Sequence, residues 1–316
     1  MTDLFSSTTE AVNIAFVVML SIAVAMLVLI TTLMVVFVIK YHRRRHPEAA
    51  QVHGHTLLEV VWTVIPTIIA LGMFYLGFIG FRYMRAVPEG ALEVSATGRM
   101  WSWEFQYANG KRSPELYVPV DTPIKVNLRS ADVLHSFYVP AYRVKQDVVP
   151  GLETYVWFQP VDTGLYDIFC AEYCGQRHSY MMSKVVVIPQ AEFDKWIEQD
   201  VGAAPDTSAA PVSEDEQLAR LRRAGERLTR IKGCNACHST DGSVLVGPSF
   251  KGLFGETITV VTDGEKREIV ADEAYIRRSI LEPSADVVEG FQPLMPPQEG
   301  ITDEEIKAIT EYLKTL

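Results

Sequence analysis

Two long apolar runs near the start of the chain predict membrane-spanning helices. The first covers residues 14–39, interrupted only by one serine and two threonines, and the second covers about residues 60–81. A helix needs roughly 20 predominantly apolar residues to cross a bilayer, and both runs reach that length. The pattern therefore predicts a two-helix transmembrane hairpin within residues 1–90.

The charges between the two apolar runs predict how the hairpin crosses the membrane. Lys40, Arg43, Arg44 and Arg45 lie in this connection, opposed only by Glu48. Cytoplasmic loops carry the excess of Lys and Arg, so we expect the connection on the cytoplasmic side. No basic residue precedes Lys40, whereas a cleaved signal peptide begins with positive charge, so we expect a retained helix. The N-terminus and everything after the second helix are then expected outside.

The hydrophobic pattern changes to short alternating runs between residues 91 and 200. Turn-forming residues separate these runs at intervals that are typical of an all-β sandwich. Alternation also places Trp101, Trp103, Phe105 and Tyr107 on one face of a strand, where burial is the ordinary explanation. The short alternating runs that predict the strands of this sandwich cover residues 92–97, 103–107, 124–129, 154–158, 166–169 and 184–188.

Residues 201–215 are rich in Ala, Pro, Ser and acidic side chains and predict a flexible linker. Fifteen such residues have an end-to-end distance of about 20 Å. A following domain at residues 216–316 would therefore sample the sandwich at roughly millimolar effective concentration. Helical patterns at residues 214–231 and 303–316, the second capped by Thr302, indicate that this last domain is all-α.

Composition narrows the kind of partner and the role of the cysteines. The chain has 316 residues and a net charge of -10, which argues against nucleic acid, because that partner calls for a basic surface. Its four cysteines form two closely spaced pairs, Cys170 with Cys174 and Cys234 with Cys237. Both spacings are of metal or cofactor type, so no cysteine is left for structural bridges.

The first pair belongs to a cluster of soft metal ligands. Cys170, Cys174, His178 and Met181 lie within twelve residues, and His135 is the other histidine of the sandwich region. Such a set favours copper or another soft metal, and a disulfide or a zinc site are the alternatives. One blue-copper ion takes two His, one Cys and a weak Met. The surplus thiolate therefore suggests two coppers bridged by two sulfurs.

The second pair belongs to the sequence Cys234-Asn235-Ala236-Cys237-His238, the attachment motif of a c-type haem. Two thioether bonds would fix the porphyrin, and His238 would be an axial iron ligand. Downstream of His238 there is no further histidine and one methionine, Met295, which is the candidate second ligand. A Met/His pair raises the potential, as an electron carrier requires. The alternative second ligands are Lys251, Lys266, Lys307 and Lys314.

The strings CAEYCGQRHSYM and DVLHSFYVP, which hold these soft ligands, resemble subunit II of haem-copper oxidases at its binuclear copper centre. The resemblance extends from about Asn13 to Pro189 and implies a cupredoxin-like sandwich that holds two copper ions. The implied ligands are the bridging Cys170 and Cys174, His135 and His178 with one copper each, a weak Met181, and the backbone carbonyl of Glu172.

The same resemblance implies roles for three residues around the copper centre and the membrane. By this resemblance, Trp101 would lie above the copper site as the residue through which electrons arrive. Glu59, at the cytoplasmic end of the second helix, lies near the entrance of a proton channel, with a plain hydrated carboxylate as the alternative. The Glu172 carboxylate contributes to a magnesium ion at the interface with subunit I.

Residues from about Leu218 to Leu316 resemble a class I cytochrome c, with Leu294-Met295-Pro296-Pro297 as its methionine loop. The order hairpin, copper sandwich, linker and cytochrome c therefore resembles subunit II of caa-type cytochrome c oxidases. The implied function is to pass electrons from cytochrome c or another redox protein, through haem c and the dicopper centre, to haem in subunit I.

That resemblance also implies the chain's place in a larger assembly. Subunit I would reduce oxygen to water, coupled to proton translocation, with subunit III as a further partner in the bacterial cytoplasmic membrane. The alternatives are an electron-input subunit of a dicopper nitric oxide reductase and a stand-alone membrane-anchored electron carrier. A quinol oxidase subunit and a copper delivery protein are disfavoured, since the copper ligands and the haem motif are both present.

Overall fold

The computed structural model of the chain describes residues 7–48, 51, 53–199, 213–298 and 300–316. It divides into two compact units, with the boundary between Pro88 and Glu89. The predicted linker at residues 201–215 lies outside the described residues except for its last three. Of these three, Glu214 and Asp215 belong to a helix rather than to a linker.

The first unit is a pair of long helices, α1 (Thr8–Lys40) and α2 (Thr56–Arg85). Both extend beyond the predicted apolar runs, because each has an N-cap that precedes the apolar segment. The Ser7 hydroxyl accepts the N–H of Glu10 at the start of α1, and the His55 ring accepts a backbone N–H at the start of α2. The two helices contact each other, and most of their apolar side chains are exposed, which fits a lipid environment.

The second unit begins with a sandwich of two five-stranded sheets. The first sheet has the strand order β3-β2-β1-β5-β8 and the second has the order β4-β10-β9-β6-β7. Large apolar side chains from both sheets, among them Phe105, Leu116 and Phe137, are fully buried between them. The strands are β1 Leu92–Arg99, β2 Ser102–Tyr107, β3 Arg112–Ser113, β4 Leu116–Pro119, β5 Ile124–Ser130, β6 His135–Val139, β7 Val144–Val148, β8 Thr154–Phe158, β9 Gly164–Cys170 and β10 Met182–Ile188.

One detail of the sandwich differs from the sequence prediction. Alternation predicts Trp101 on a strand with Trp103, but Trp101 lies in the turn just before β2. His135 begins β6, where it pairs with Val148 of β7. Trp101 and His135 both lie at the end of the sandwich that carries Cys170 and Cys174.

The C-terminal part of the second unit is a helical domain with a small sheet. Its helices are α4 (Glu214–Ile231), α5 (Glu273–Leu281) and α6 (Asp303–Leu313), after the short α3 (Gln190–Glu198) that follows the sandwich. Helix α4 covers the predicted range, and the predicted Thr302 cap of α6 is a complete capping box with Glu305. Helices α4 and α6 cross closely, since a Cβ on Gly225 would meet the Ala308 carbonyl at 2.0 Å.

The small sheet is an addition to the predicted all-α domain. It consists of β11 (Thr257–Thr262), β12 (Glu265–Val270) and β13 (Val287–Val288) in the order β12-β11-β13. Asp263 and Gly264, both with positive φ, form the hairpin turn. A β-branched run followed by Asp-Gly is a strong hairpin pattern, so the sequence contained the information for this element.

Candidate metal centre and haem cleft

The soft ligands meet at one end of the sandwich because of how β6 and β9 pair. These strands are antiparallel neighbours, with Phe137 opposite Cys170, so the first residue of β6 lies close to the last residue of β9. The Ala171 N–H donates to the Ser136 carbonyl (2.9 Å), which fastens the loop that follows β9 to β6. The Cys170 N–H donates to the Met181 carbonyl (3.0 Å) and closes the same loop at its other end. The loop is therefore held on a rigid scaffold at both ends.

Five predicted side-chain ligands converge within this loop and the start of β6. The two sulfurs of Cys170 and Cys174 are 3.7 Å apart. The Nδ1 atom of His135 lies 3.9 Å from the Cys170 sulfur, and the Nδ1 atom of His178 lies 3.6 Å from the Cys174 sulfur. The Met181 sulfur lies 3.8 Å from the Cys174 sulfur. Each cysteine thus has its own histidine, and the thioether is beside one of the two sulfurs.

The two cysteines are free thiols and not a disulfide. A disulfide has an S–S distance near 2.05 Å, far shorter than the separation here. Burial raises the pKa of the Cys174 thiol, and a thiolate at Cys170 raises it further. Deprotonation of Cys174 beside a Cys170 thiolate would therefore be favoured by a nearby cation. Together with His135, their ligand atoms lie within 4.8 Å of one another, and this soft donor set fits copper.

The loop between β9 and β10, residues 171–181, is called the copper loop below. Glu172 and the methionines at its end differ in their position relative to the sulfurs. The backbone carbonyl of Glu172, a ligand implied by the resemblance, lies 3.2 Å from the Cys170 sulfur. Met181 is fully buried, whereas the neighbouring Met182 is 53% exposed. This difference distinguishes the two methionines and places only Met181 beside the sulfurs.

Asp132 is a site residue that sequence reasoning missed. Its Oδ1 atom lies 2.7 Å from Nε2 of His135, and its Oδ2 atom accepts the Met100 N–H at 2.7 Å. The contact between Asp132 and Nε2 leaves Nδ1 of His135 directed at Cys170. Burial alone would raise the pKa of Asp132, but the hydrogen bond with His135 lowers it overall. A carboxylate that orients a metal-binding histidine is a common arrangement, and Asp132 lay within the quoted string three residues before His135.

Trp101 is buried against the copper loop. Its indole N–H donates to the Cys174 carbonyl at 3.0 Å. Gly175 permits this approach, because a Cβ at that position would lie 3.2 Å from the Trp101 ring, and its φ of +112° is unfavourable for other residues. The tryptophan that the resemblance singled out therefore makes direct contact with the backbone of a predicted copper ligand.

The haem motif lies at the edge of a deep apolar cleft in the C-terminal domain. Cys234, Cys237, His238 and Met295 all line this cleft, which contains about 1170 Å³ of space including its open mouth. Its other lining residues include Phe250, Leu253, Ile276, Ile280, Ile309 and Leu313. A large apolar cleft that collects both attachment cysteines and both candidate axial ligands fits a covalent haem.

His238 is prepared as a ligand by its neighbours. Its Nδ1 atom donates to the Pro248 carbonyl at 2.7 Å, which leaves Nε2 as the free coordinating nitrogen. Burial lowers the pKa of His238, so the imidazole stays neutral. Gly247 packs directly on the ring, since a Cβ there would lie 2.5 Å from Cε1 of His238. The ring also stacks on Phe250, with centroids 4.6 Å apart.

Two predicted roles have less geometry to support them. Glu59 is in the first turn of α2, exposed, with its carboxylate accepting the N–H of His55 at 3.3 Å. Glu172 is half-buried in the copper loop. The proton-channel role of Glu59 and the magnesium role of the Glu172 carboxylate both stay predictions.

Three protein-family models match the chain. The transmembrane domain of cytochrome c oxidase subunit II matches residues 1–82, the periplasmic domain of the same subunit matches residues 111–188, and cytochrome c matches residues 223–316. The hairpin, the sandwich and the haem domain are thus each matched by a model of their own.

Individual relatives cover the chain to different extents. A "cytochrome c oxidase subunit 2" from Alkalihalophilus pseudofirmus is 31% identical over 311 residues, covering 94% of this chain and 85% of that protein. An "alternative cytochrome c oxidase subunit 2" from Bradyrhizobium diazoefficiens is 33% identical over 194 residues, covering 51% of this chain and 70% of that protein. A solved periplasmic domain of cytochrome oxidase subunit II from Bradyrhizobium japonicum is 34% identical and covers 36% of this chain and 95% of its own, with a TM-score of 0.34.

Proposed function

The chain belongs to the cytochrome c oxidase subunit II family, and from that premise we propose how it carries electrons. As a member with a fused cytochrome c domain, it is the membrane-anchored electron-input subunit of a terminal oxidase, an oxidoreductase complex. It binds copper and haem c, and its soluble domains lie on the outer side of the membrane. We propose that electrons from an external donor pass through haem c and a two-copper centre to haem in subunit I.

The observation that carries this proposal is the symmetrical pairing of sulfur and imidazole in the copper loop. Cys170 has His135 beside it and Cys174 has His178, with the two sulfurs 3.7 Å apart. These two thiolates and two imidazoles would hold the two coppers. When bound, haem c and the two coppers supply one-electron carriers, and the buried side chains hold their ligand atoms in place.

Trp101 is proposed as the residue through which electrons approach the copper loop. Its support is the hydrogen bond from its indole to the Cys174 carbonyl, which connects the aromatic ring to the ligand loop. Trp103 is fully buried and packs edge-on against Phe137, which is the ordinary role of a core aromatic. The two tryptophans therefore differ in role, although they are two residues apart.

The remaining parts of the proposal concern partners. Subunit I, and with it subunit III, are proposed as the membrane partners, and cytochrome c or another redox protein as the donor. Glu172 is proposed to share a magnesium ion with subunit I through its carboxylate, and Glu59 to lie at the entrance of a proton channel. The family relationship favours an oxidase over a nitric oxide reductase subunit or a stand-alone carrier.

Substitution of one copper ligand tests the route in the assembled oxidase. We expect His178→Asn to lose or alter the copper signal while haem c stays attached and reducible by the donor, so that oxygen uptake stops. The exposed loop histidine His46 provides the control variant His46→Asn, which we expect to keep full oxygen uptake. Unchanged oxygen uptake in His178→Asn would show that electrons do not pass through this centre.

A further inference from the structure

Five charged residues form a network between the sandwich and the cytochrome c domain. Glu104 of β2 forms ion pairs with two guanidinium groups of its own domain, with Arg99 at 3.7 Å and Arg112 at 3.8 Å. Arg112 also lies 3.7 Å from Glu305 of α6, whose other oxygen lies 3.9 Å from the Lys232 ammonium. The chain of contacts thus runs from one domain into the other without interruption.

The centre of this network is removed from water. Glu104 is 7% exposed and Lys232 is 3% exposed, although isolated charges are costly to bury. Burial lowers the pKa of Lys232, while Glu104 and Glu305 act in the opposite direction. The ammonium therefore depends on one carboxylate from each domain. Charged side chains at such depth are kept only where opposite charges surround them.

The network lies beside both redox sites. Lys232 is two residues before Cys234, and the intervening Gly233 touches the turn that carries Trp101, since a Cβ on Gly233 would meet Oγ of Ser102 at 2.0 Å. On the copper side, Arg177 donates to the carbonyl of Ala236, between the two haem cysteines.

The haem cleft itself is completed by the sandwich. Arg99 and Met100, the two residues before Trp101, line the cleft together with His238 and Met295. Arg99 also donates to the Gln298 side chain at 2.7 Å, just beyond the methionine loop. The face of the cytochrome domain that carries the haem motif is therefore the face in contact with the Trp101 turn.

We propose that Arg99, Glu104, Arg112, Lys232 and Glu305 form an interdomain clamp that docks the cytochrome c domain on the copper domain for electron transfer within the chain. This inference rests on the proposed function. In it, the cytochrome c domain transfers electrons from a fixed position and does not sample the sandwich on a free tether. The five residues act as positioning residues, because none of them is a copper or haem ligand.

The number of positive and negative charges in the clamp predicts which substitutions weaken the docking of the two domains. Three cations face two carboxylates, so removing either carboxylate leaves the buried Lys232 and the partly buried Arg99 and Arg112 around one negative charge. Glu104→Gln therefore sets Lys232 of one domain against two guanidinium groups of the other. Adding Lys232→Met removes that repulsion, which should restore docking although two charged groups are then missing.

The test uses the full chain in its assembled oxidase, with an electron injected into haem c by a flash-excited dye. We expect Glu104→Gln to slow the transfer from haem c to copper by about tenfold or more, because the docked state then carries uncompensated buried charge. The double variant with Lys232→Met should recover most of the rate. The rate of amide hydrogen exchange of residues 101–107 and 232–238 is measured in the same proteins. It should increase in the single variant and return to the rate of the unmodified chain in the double variant.

Glu305→Gln is a second, independent variant, which removes the clamp carboxylate that belongs to the cytochrome c domain. Glutamine keeps the capping box of α6, so the helix is preserved while the charge is lost, and we expect a comparable slowing. Asp167→Asn is the matched control, because Asp167 pairs with Lys184 on the exposed surface of the sandwich, and it should leave both readouts unchanged.

The outcomes separate the clamp from the proposed route. Normal transfer and exchange in both Glu104→Gln and Glu305→Gln, with copper and haem present, would overturn the clamp and leave the route intact. Slow transfer that Lys232→Met does not relieve would also overturn it, because the effect would then not be electrostatic. If reduced haem c of the unmodified chain fails to reduce copper, the route itself is wrong.

Discussion

The copper loop and the haem cleft bind their metals in two different ways. At the copper centre, the protein alone brings the Cys170 and Cys174 sulfurs to 3.7 Å, with an imidazole nitrogen within 3.9 Å of each. At the haem site, the protein supplies an apolar cleft whose candidate ligands, His238 and Met295, stand on separate loops. The sandwich therefore determines the positions of the copper-ligand atoms, whereas in the cytochrome domain a bound porphyrin would connect segments that share only a cavity wall.

The largest predicted effect is the loss of copper from the copper loop while the haem site keeps its haem. Cys174→Ser replaces a thiolate of the proposed two-copper centre with a hydroxyl that does not bind soft metals in this way, so we expect copper to be lost while haem c remains covalently attached. Metal analysis of the purified full chain, with the haem absorbance as internal control, checks this result. Retention of full copper content would show that Cys174 is not a ligand.

Asp132→Asn tests how far the surroundings of the copper centre hold its geometry. The amide keeps the shape of the side chain but loses the negative charge beside Nε2 of His135. We expect copper affinity to fall by about 10- to 100-fold, the usual effect of removing a partner that orients a metal ligand. Competition with a copper chelator measures this change. Asp147→Asn, on the neighbouring β7, is a control that should leave the affinity unchanged.

Met295→Leu makes the corresponding change at the haem. Both cysteines would still attach the porphyrin, but the iron would lose the proposed thioether ligand, a type of ligand that raises the potential. We expect the midpoint potential of haem c to drop by on the order of 0.1 V, within the range of about 0.8 V over which axial ligands tune haem. Spectroelectrochemical titration checks it. Met182→Leu is the matched control, and an unchanged potential in Met295→Leu would show that a lysine or another group is the second ligand.

The smallest predicted effect concerns the contact between Trp101 and the copper loop. Gly175→Ala adds a methyl group 3.2 Å from the Trp101 ring at a positive φ, so we expect slower electron input and a loss of about 1 kcal/mol in the free energy of unfolding. Gly151→Ala shares the positive φ but has no neighbour within 4 Å, so it reports the backbone strain alone. Equal electron-transfer rates in the two variants would contradict the role of the Trp101 contact.

The sequence was most informative where chemistry is concentrated in a short segment. Cys170, Cys174, His178 and Met181 are close in the chain, and the haem motif is contiguous, so their grouping needed no knowledge of the fold. The hydrophobic runs likewise predicted both helices of the hairpin, although their ends lie further out than the runs indicated. Ser7 and His55 extend the helices, and neither residue is apolar.

Long-range contacts were beyond the reach of sequence patterns. The bond from Trp101 to the Cys174 carbonyl joins residues 73 positions apart, and it depends on the turn that precedes β2. The pairing of Arg112 with Glu305 depends on how two domains pack. Periodicity indicates which residues are buried, but it does not indicate which buried charge will face which.

The proposed electron route requires that this chain hold a two-copper centre and one haem c. Metal analysis combined with electron paramagnetic resonance of the purified full chain tests it most directly. We expect two coppers for each haem iron, with one unpaired electron shared equally between the two copper nuclei. One copper with its own unpaired electron, zinc in place of copper, or no metal in the loop would contradict it.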